Sequence, residues 1–265
     1  MKNVFKILIL AAALVVTVAC SSNESTIPDI VVESMTMDFP ASQSVFVEEL
    51  MPGEVIDTKI THRAFRGPDT YTLAMPKDSV NMYVFVKGNA TLVAGEKNFD
   101  VVPESIAIPI DYSEVDLVIE EGEVVHLLQF SKLITADDKE QIKGFPEENI
   151  YDIYFAAFID CDAYVEPIKS PNTVSRTVLH GDILPRIALG TVQAPGPDVV
   201  GEHAHPMLDQ LFLGLEGNNI TVHADGASAN LPEFALLHIP LGSNHGVTVD
   251  AGCSLYYLWM DFFME

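Results

Sequence analysis

The chain has 265 residues, 48% of them apolar, enough to bury one large core or two of ordinary size. Its 38 acidic side chains outnumber 14 basic ones, for a formal net charge of −24 at pH 7. Such a surface lacks the basic clusters that phosphate contacts require, which excludes nucleic acid as a partner. Otherwise the charge bears on solubility rather than on fold.

Residues 1–20 read as a processing signal. Lys2 and Lys6 form a charged start, Ile7 to Val18 an apolar run, and Ala19–Cys20 its end. The run is short for a bilayer span and has no stop-transfer flank, so export is expected. Thr17-Val18-Ala19-Cys20 resembles a bacterial lipobox. That resemblance implies lipidation at Cys20 and membrane contact through the lipid anchor only. It also implies a place in the cell envelope, on the periplasmic or outer-membrane surface. The other reading is simple cleavage after Ala19. Residues 21–44 are polar at first and poorly patterned, and read as a tether.

Short runs rich in Val, Ile, Leu, Tyr and Phe follow, separated by Gly, Pro, Asn and Asp. Strands are predicted over 81–86, 90–93, 105–109, 115–119, 124–130, 186–192, 210–215 and 255–262. The best helical segment is 136–143, with Thr135 as N-cap and Gly144 as its stop. Many short strands with little helix predict an all-β sandwich or barrel. Cys161 and Cys253 remain in the mature chain, either as separate thiols or as a pair.

The segment "MYVFVKGNATLVAGEKNFDVVPESIAIP" (82–109) aligns with "LFLGLEGNNITVHADGASANLPEFALLHIP" (211–240). Lys87-Gly88-Asn89 falls on Glu216-Gly217-Asn218, and Pro103-Glu104 on Pro232-Glu233. Pro109 meets Pro240 if two extra residues are allowed. Copies about 130 residues apart predict duplicated domains rather than a solenoid. The expected division is 45–133, a connecting segment 134–180, and 181–265.

The second copy carries "GEHAHPMLDQLFLGLEG" (201–217) and "IPLGSNHG" (239–246). Residues two apart on a strand share a face, roughly 6.5–7 Å apart, so His203 and His205 can reach one point. A turn at 206–208 brings Gln210 beside them. Pro240 and Gly242 shape a turn that delivers His245. Three imidazoles and one oxygen donor suit Zn, Fe, Mn, Ni or Cu. Asp209 is the alternative oxygen donor, although strand alternation points it away from Gln210. His62, His126, His180, His223 and His238 lack such partners and read as ordinary polar residues.

These residues resemble both motifs of the cupin superfamily. His203-x-His205, four residues, Gln210, six residues, Gly217 follows the first. Pro240-Leu241-Gly242-Ser243-Asn244-His245 contains the core of the second. Gln210 stands where Glu is usual and Val249 where Asn is usual. Pro197 and Phe234 occupy the positions of the leading glycines. In the first copy the ligand positions become Ala74, Pro76, Asn81 and Glu114, which is no metal set. The resemblance therefore implies a bicupin of two jelly-roll, double-stranded β-helix barrels joined through a short helix. Its N-terminal barrel would be degenerate and its C-terminal barrel metal-competent.

It further implies a divalent metal cofactor and a small-molecule ligand in a mostly apolar barrel pocket. Homodimers occur in the superfamily, although no feature of this sequence requires one. Phe212 shares the face of Gln210. Arg186, Tyr256 and Tyr257 are further pocket candidates: an inward arginine would favour a carboxylate or uronate, and either tyrosine could act as an acid. The other reading of Arg186, and the preferred one, is an ion pair with one of the abundant acids. The expected function is a metal-dependent isomerase, lyase, decarboxylase or dioxygenase acting on an oxygen-rich substrate such as a sugar acid. The alternative is a non-catalytic, ligand- or carbohydrate-binding surface lipoprotein.

Overall fold

The computed structural model describes residues 30–264. The signal segment, Cys20 and the first part of the expected tether lie outside the described residues. In chain order the first strands are β1 (Val31–Ser34), β2 (Val45–Leu50), β3 (Thr58–Arg66), β4 (Asp69–Ala74) and β5 (Ser79–Lys87). Then come β6 (Ala90–Ala94), β7 (Lys97–Val101), β8 (Ser105–Pro109), β9 (Glu114–Ile119) and β10 (Val124–Leu133). Helix α1 (Ala136–Ile142) leads to β11 (Ile153–Ala157), β12 (Ala163–Tyr164), β13 (Val174–Leu179) and β14 (Ile187–Pro195). The chain continues with β15 (Asp198–His203), β16 (Leu208–Gly214), β17 (Asn219–Ala224) and β18 (Ala227–Pro232). It ends with β19 (Ala235–Ile239), β20 (His245–Val249) and β21 (Ser254–Phe263).

Each half pairs a large sheet with a small one. The first barrel joins the sheet β11-β8-β5-β10-β3-β2 to β4-β9-β6-β7. The second joins β1-β19-β16-β21-β14-β13-β12 to β15-β20-β17-β18. The duplication is visible in the backbone: Gly88 and Gly217 turn at φ 82° and 77°, and Glu104 and Phe234 at φ 63° and 54°. The last pair shows that the second copy has one inserted residue rather than two. Pro109 ends β8 where Ile239, not Pro240, ends β19.

Three boundaries differ from the sequence reading. Residues 31–34, placed in the tether, form a ladder with β19 of the second barrel, Val31 opposite His238. The connecting segment supplies β11 to the first barrel, Ile153 opposite Pro109. It also supplies β13 to the second barrel, whose large sheet therefore begins before residue 181. The reason is the same in each case. A sheet edge offers unpaired N–H and C=O groups, and a nearby extended segment satisfies them. Each barrel thus completes its large sheet with a strand lying outside its own repeat.

The two large sheets pack face to face. Val84, Leu128 and Phe130 from one meet Leu211, Leu213, Leu258 and Met260 from the other in a single core. Separate cores fill the barrels, around Phe85, Leu92 and Leu117 in the first and around Val222, Leu237 and Val247 in the second. On the outer face of the first large sheet His62 and His126 are buried and stacked, with Nε2 to Nδ1 at 3.1 Å. Glu48 holds His62 Nδ1 at 2.7 Å. Cys161 and Cys253 are both free thiols.

The helix begins where its sequence dictates. The Thr135 hydroxyl accepts from the Asp138 N–H, and the Asp138 carboxylate accepts from the Thr135 N–H, a complete capping box. The same carboxylate receives Arg186 through Nε and Nη2, both at 2.6 Å. Arg186 is therefore not a pocket residue: at φ 59° it sits just before β14 and turns toward the helix. The Arg186 guanidinium, with the Thr135 bonds, holds the Asp138 carboxyl down at about 2. A lowered carboxyl contributes stability that is present above its ordinary pKa and is lost as pH falls toward the folded value. Asp138→Asn should cost about 1–2 kcal/mol above pH 4, with the difference from wild type closing toward pH 2. Urea unfolding at stepped pH measures it, and a pH-independent difference would show that the carboxylate charge is not involved.

Candidate metal centre

Strand β15 ends at His203, which lies opposite His245, the first residue of β20. The register between β15 and β20 shifts between Val200 and His203, and such a bulge re-aims side chains at a barrel rim. His205 follows just beyond the strand end. A tight turn places His245: the Ser243 N–H donates to the Pro240 carbonyl at 3.0 Å, with Gly242 at φ 75°. A φ of that sign at the third turn position favours glycine, which accounts for Gly242.

The three imidazoles converge. Each offers a ring nitrogen, and these atoms lie within 4.8 Å of one another. Ring centroids are separated by 4.9 Å (His203–His205), 4.4 Å (His203–His245) and 5.6 Å (His205–His245). The hydrogen bonds select the tautomers. His203 Nδ1 lies 2.9 Å from the Gly201 carbonyl, and His245 Nδ1 lies 3.1 Å from that of Ser243. A carbonyl only accepts, so each Nδ1 carries the proton and each neutral ring keeps its Nε2 lone pair free. Burial, with smaller help from the neighbouring imidazoles, pulls His245 down to about 4. Burial and His203 also lower His205. Both rings are therefore neutral at pH 7, the form that ligates.

Gln210 on β16 lies opposite Asp261 on β21, and its Nε2 donates to Asp261 Oδ1 at 2.7 Å. That bond fixes which way the amide points. Its other end, Oε1, is buried without a hydrogen-bond partner, and so is His245 Nε2. Leaving such atoms bare costs about 1–3 kcal/mol each, so two of them lining one gap with His205 require an explanation. An ion held by the two atoms supplies one, and the donor set fits a first-row divalent cation. Asp209 faces out of the barrel, its Oδ1 3.6 Å from His238 Nε2, so it does not take the place of Gln210.

A cavity of about 310 Å³ opens over His203, His205 and Gln210. Phe212 and Tyr257 line it with their rings 4.5 Å apart. Trp259 and Asp261 share this wall, being alternate residues of β21. Tyr256 points the other way and donates its hydroxyl to Glu104 of the first barrel, so it is not a pocket residue. Burial pushes the Tyr257 hydroxyl far up and Asp261 up to about 6.

The remaining wall was not foreseen from sequence. Tyr164, Glu166, Ile168 and Lys169 come from the connecting segment and close one side of the cavity. They form a strap bonded to the histidine-bearing strand: Gly201 N–H donates to the Ile168 carbonyl at 2.8 Å, and Lys169 bridges to Val200. The Pro-flanked segment has no strand periodicity, so only tertiary pairing reveals it.

The first barrel repeats the frame without the donors. Ala74 opposite Glu114 matches His203 opposite His245, and Asn81 opposite Ser131 matches Gln210 opposite Asp261. Its interior is plugged by a polar chain: Arg63 to Gln129 at 3.0 Å, Gln129 to Ser131 at 2.9 Å, and Ser131 to Asn81 at 2.6 Å. Among the described residues no second histidine-rich ligand set occurs there.

No protein-family model matches the sequence, and no curated protein does. Solved structures do match by shape. A cupin 2 conserved barrel protein of Leptotrichia buccalis aligns with TM-score 0.57 at 11% identity, over 85% of this chain and 92% of that one. The oxalate decarboxylase of Lactobacillus farciminis, in complex with formate, aligns with TM-score 0.64 at 9% identity, over 90% and 87%. The 7S globulin of Momordica charantia gives 0.61 at 13% identity, over 88% and 82%. At such identities the likeness is one of fold, and it embraces a named enzyme and a globulin alike. The two-barrel topology and these neighbours give one conclusion: the chain has the all-β, double-stranded β-helix fold of the bicupins.

Proposed function

We propose that the second barrel binds a divalent first-row metal through His203, His205, His245 and Gln210. The bare, buried His245 Nε2 and Gln210 Oε1, contributed by the barrel's two sheets beside His205, carry this reading. On this basis the protein is a metal-dependent cupin acting on a small oxygen-rich molecule such as a sugar acid, and the lipobox-like Thr17-Val18-Ala19-Cys20 supports a lipid anchor at Cys20 in the cell envelope. When bound, the ion would supply Lewis-acid or oxygen-activating chemistry, within reach of isomerase, lyase, decarboxylase or dioxygenase reactions. That an oxalate decarboxylase shares the fold is consistent with this range.

The chain's own residues have separate tasks. Phe212, Tyr257 and Trp259 provide an apolar wall that excludes water from a bound ligand. Asp261 holds the Gln210 amide by its nitrogen and so presents the oxygen inward. Tyr257 keeps its proton at neutral pH because burial opposes its ionisation. A second reading, a ligand-binding surface lipoprotein without turnover, is favoured by the amide at position 210, where a carboxylate is usual.

Elemental analysis of the purified protein should find close to one metal ion per chain. The His203→Ala, His245→Ala double variant should fold and lose it. A metal-free wild type after loading with Mn, Fe, Ni and Zn would sink the metal reading. Asp261→Ala frees the Gln210 amide to rotate and should weaken metal affinity by about 10–100-fold, as loss of an orienting partner does. Competition with a chelator of known affinity measures the change, and an unaltered affinity would show that Asp261 does not orient the ligand.

A further inference from the structure

Lys169 is the cationic side chain of the cavity wall and is only 7% exposed. Its ammonium bonds to Glu166 Oε2 and to Ser175 Oγ, each at 3.1 Å, and lies 5.5 Å from the centre of the Tyr164 ring. The strap's backbone bonds to β15 hold it in the same enclosure as His203 and His205. A buried ammonium is costly even when paired, and a mere staple for the strap needs no charge inside a ligand cavity.

The surrounding charges sharpen the point. The four donors assigned to the metal are all neutral, so a bound cation keeps its full charge. Lys169 adds another of the same sign across a cavity of about 310 Å³, where like charges repel. Glu166 already serves Lys169, and its side chain is 33% exposed. Asp261 is half-buried and engaged by Gln210. Even with both carboxylates ionised, a dication and Lys169 leave the cavity positive. An anion lying between the two cationic centres removes the repulsion and the excess together.

We propose that Lys169 selects the ligand: the cavity takes a small carboxylate-bearing molecule, with one oxygen group at the metal position and the carboxylate on the Lys169 ammonium. This rests on the metal reading above and adds the chemical class of the ligand and the residue that reads it. Arg186, the other candidate for that task, is committed to Asp138, and Lys169 stands in the cavity instead.

The test uses the metal-loaded full mature protein with Co as the ion. Malonate and its neutral counterpart malonamide are the probes, and binding is read by calorimetry and by the visible Co spectrum. Wild type should bind malonate more tightly than malonamide. Lys169→Met should keep stoichiometric Co and its thermal midpoint, lose about tenfold or more in malonate affinity, and bind malonamide as before. Lys169→Arg should restore most of the malonate affinity, which a packing role would not predict. Equal binding of the two probes by wild type, or unchanged malonate binding by a Co-replete Lys169→Met, overturns the assignment. Absence of Co from the wild type overturns the metal reading, and this inference with it. Loss of Co or of the thermal midpoint from Lys169→Met alone would show that Lys169 holds the strap and does not read the ligand.

Discussion

Strand β21 places Leu258 and Met260 in the core between the barrels and Tyr257, Trp259 and Asp261 on the cavity wall. The period of two along a strand makes these assignments inseparable, since a slip of one residue would exchange the faces. The neighbouring strand β16 behaves the same way, with Leu211 and Leu213 outward to the partner barrel and Gln210 and Phe212 inward. Packing between the barrels therefore fixes the register that aims the ligand-side residues. An apolar face of this size is strongly specified by burial, and the site inherits that specification.

The exchanged strands extend the argument. β1 covers the edge at β19, and β19 lies beside β16 with Ile239 opposite Gln210. A residue near the start of the described chain thus supports a ladder that ends at the candidate centre. β11 does the same for the first barrel, at β8. The first barrel, however, fills its interior with the chain of bonds from Arg63 to Asn81, and Tyr83 stands where the second has Phe212. Tyr83 and Asn81 bond to each other at 3.0 Å, so their polar groups satisfy one another and need no ion. The frame is common to both barrels; among the described residues the converging histidines, with the bare Gln210 Oε1 and His245 Nε2, occur in the second.

Much of this was legible in the sequence, for identifiable reasons. Strand runs such as 105–109 and the helix start at Thr135 were readable because alternation, turn residues and the capping box are local signals. The histidine cluster was readable because His203-x-His205 and the turn at Pro240–Gly242 are local patterns, although a bulge in β15 and a position past its end, rather than a regular strand, bring the pair together. Alternation likewise preferred Gln210 to Asp209. It could not decide which face of β21 looks inward, because both faces are apolar; packing between the barrels decides that. Arg186 makes the acid pair that its sequence reading preferred over a pocket role, and its φ of 59° turns it out of the strand pattern toward Asp138. The strap at 164–169 and the strand at 31–34 were invisible for a different reason. Their pairing partners are remote, and their composition carries no period.

The donor set itself explains why residues outside the histidine cluster matter here. A carboxylate ligand would cancel part of an ion's charge at the point of contact and hold its own orientation by that attraction. Gln210 does neither, so its oxygen must be aimed by a partner, and Asp261 supplies the aim through the amide nitrogen. The compensating charge is thereby moved one residue farther from the ion, onto a carboxyl that burial pushes up to about 6. Attraction falls with distance, so the ion is less neutralised than it would be by a ligating carboxylate. With an ion bound as proposed, the centre would keep a larger share of its charge for whatever enters the cavity. On the proposed metal reading, a neutral ligand at position 210 and a cationic side chain on the strap would act in the same sense, each raising the affinity of the space between them for an anion.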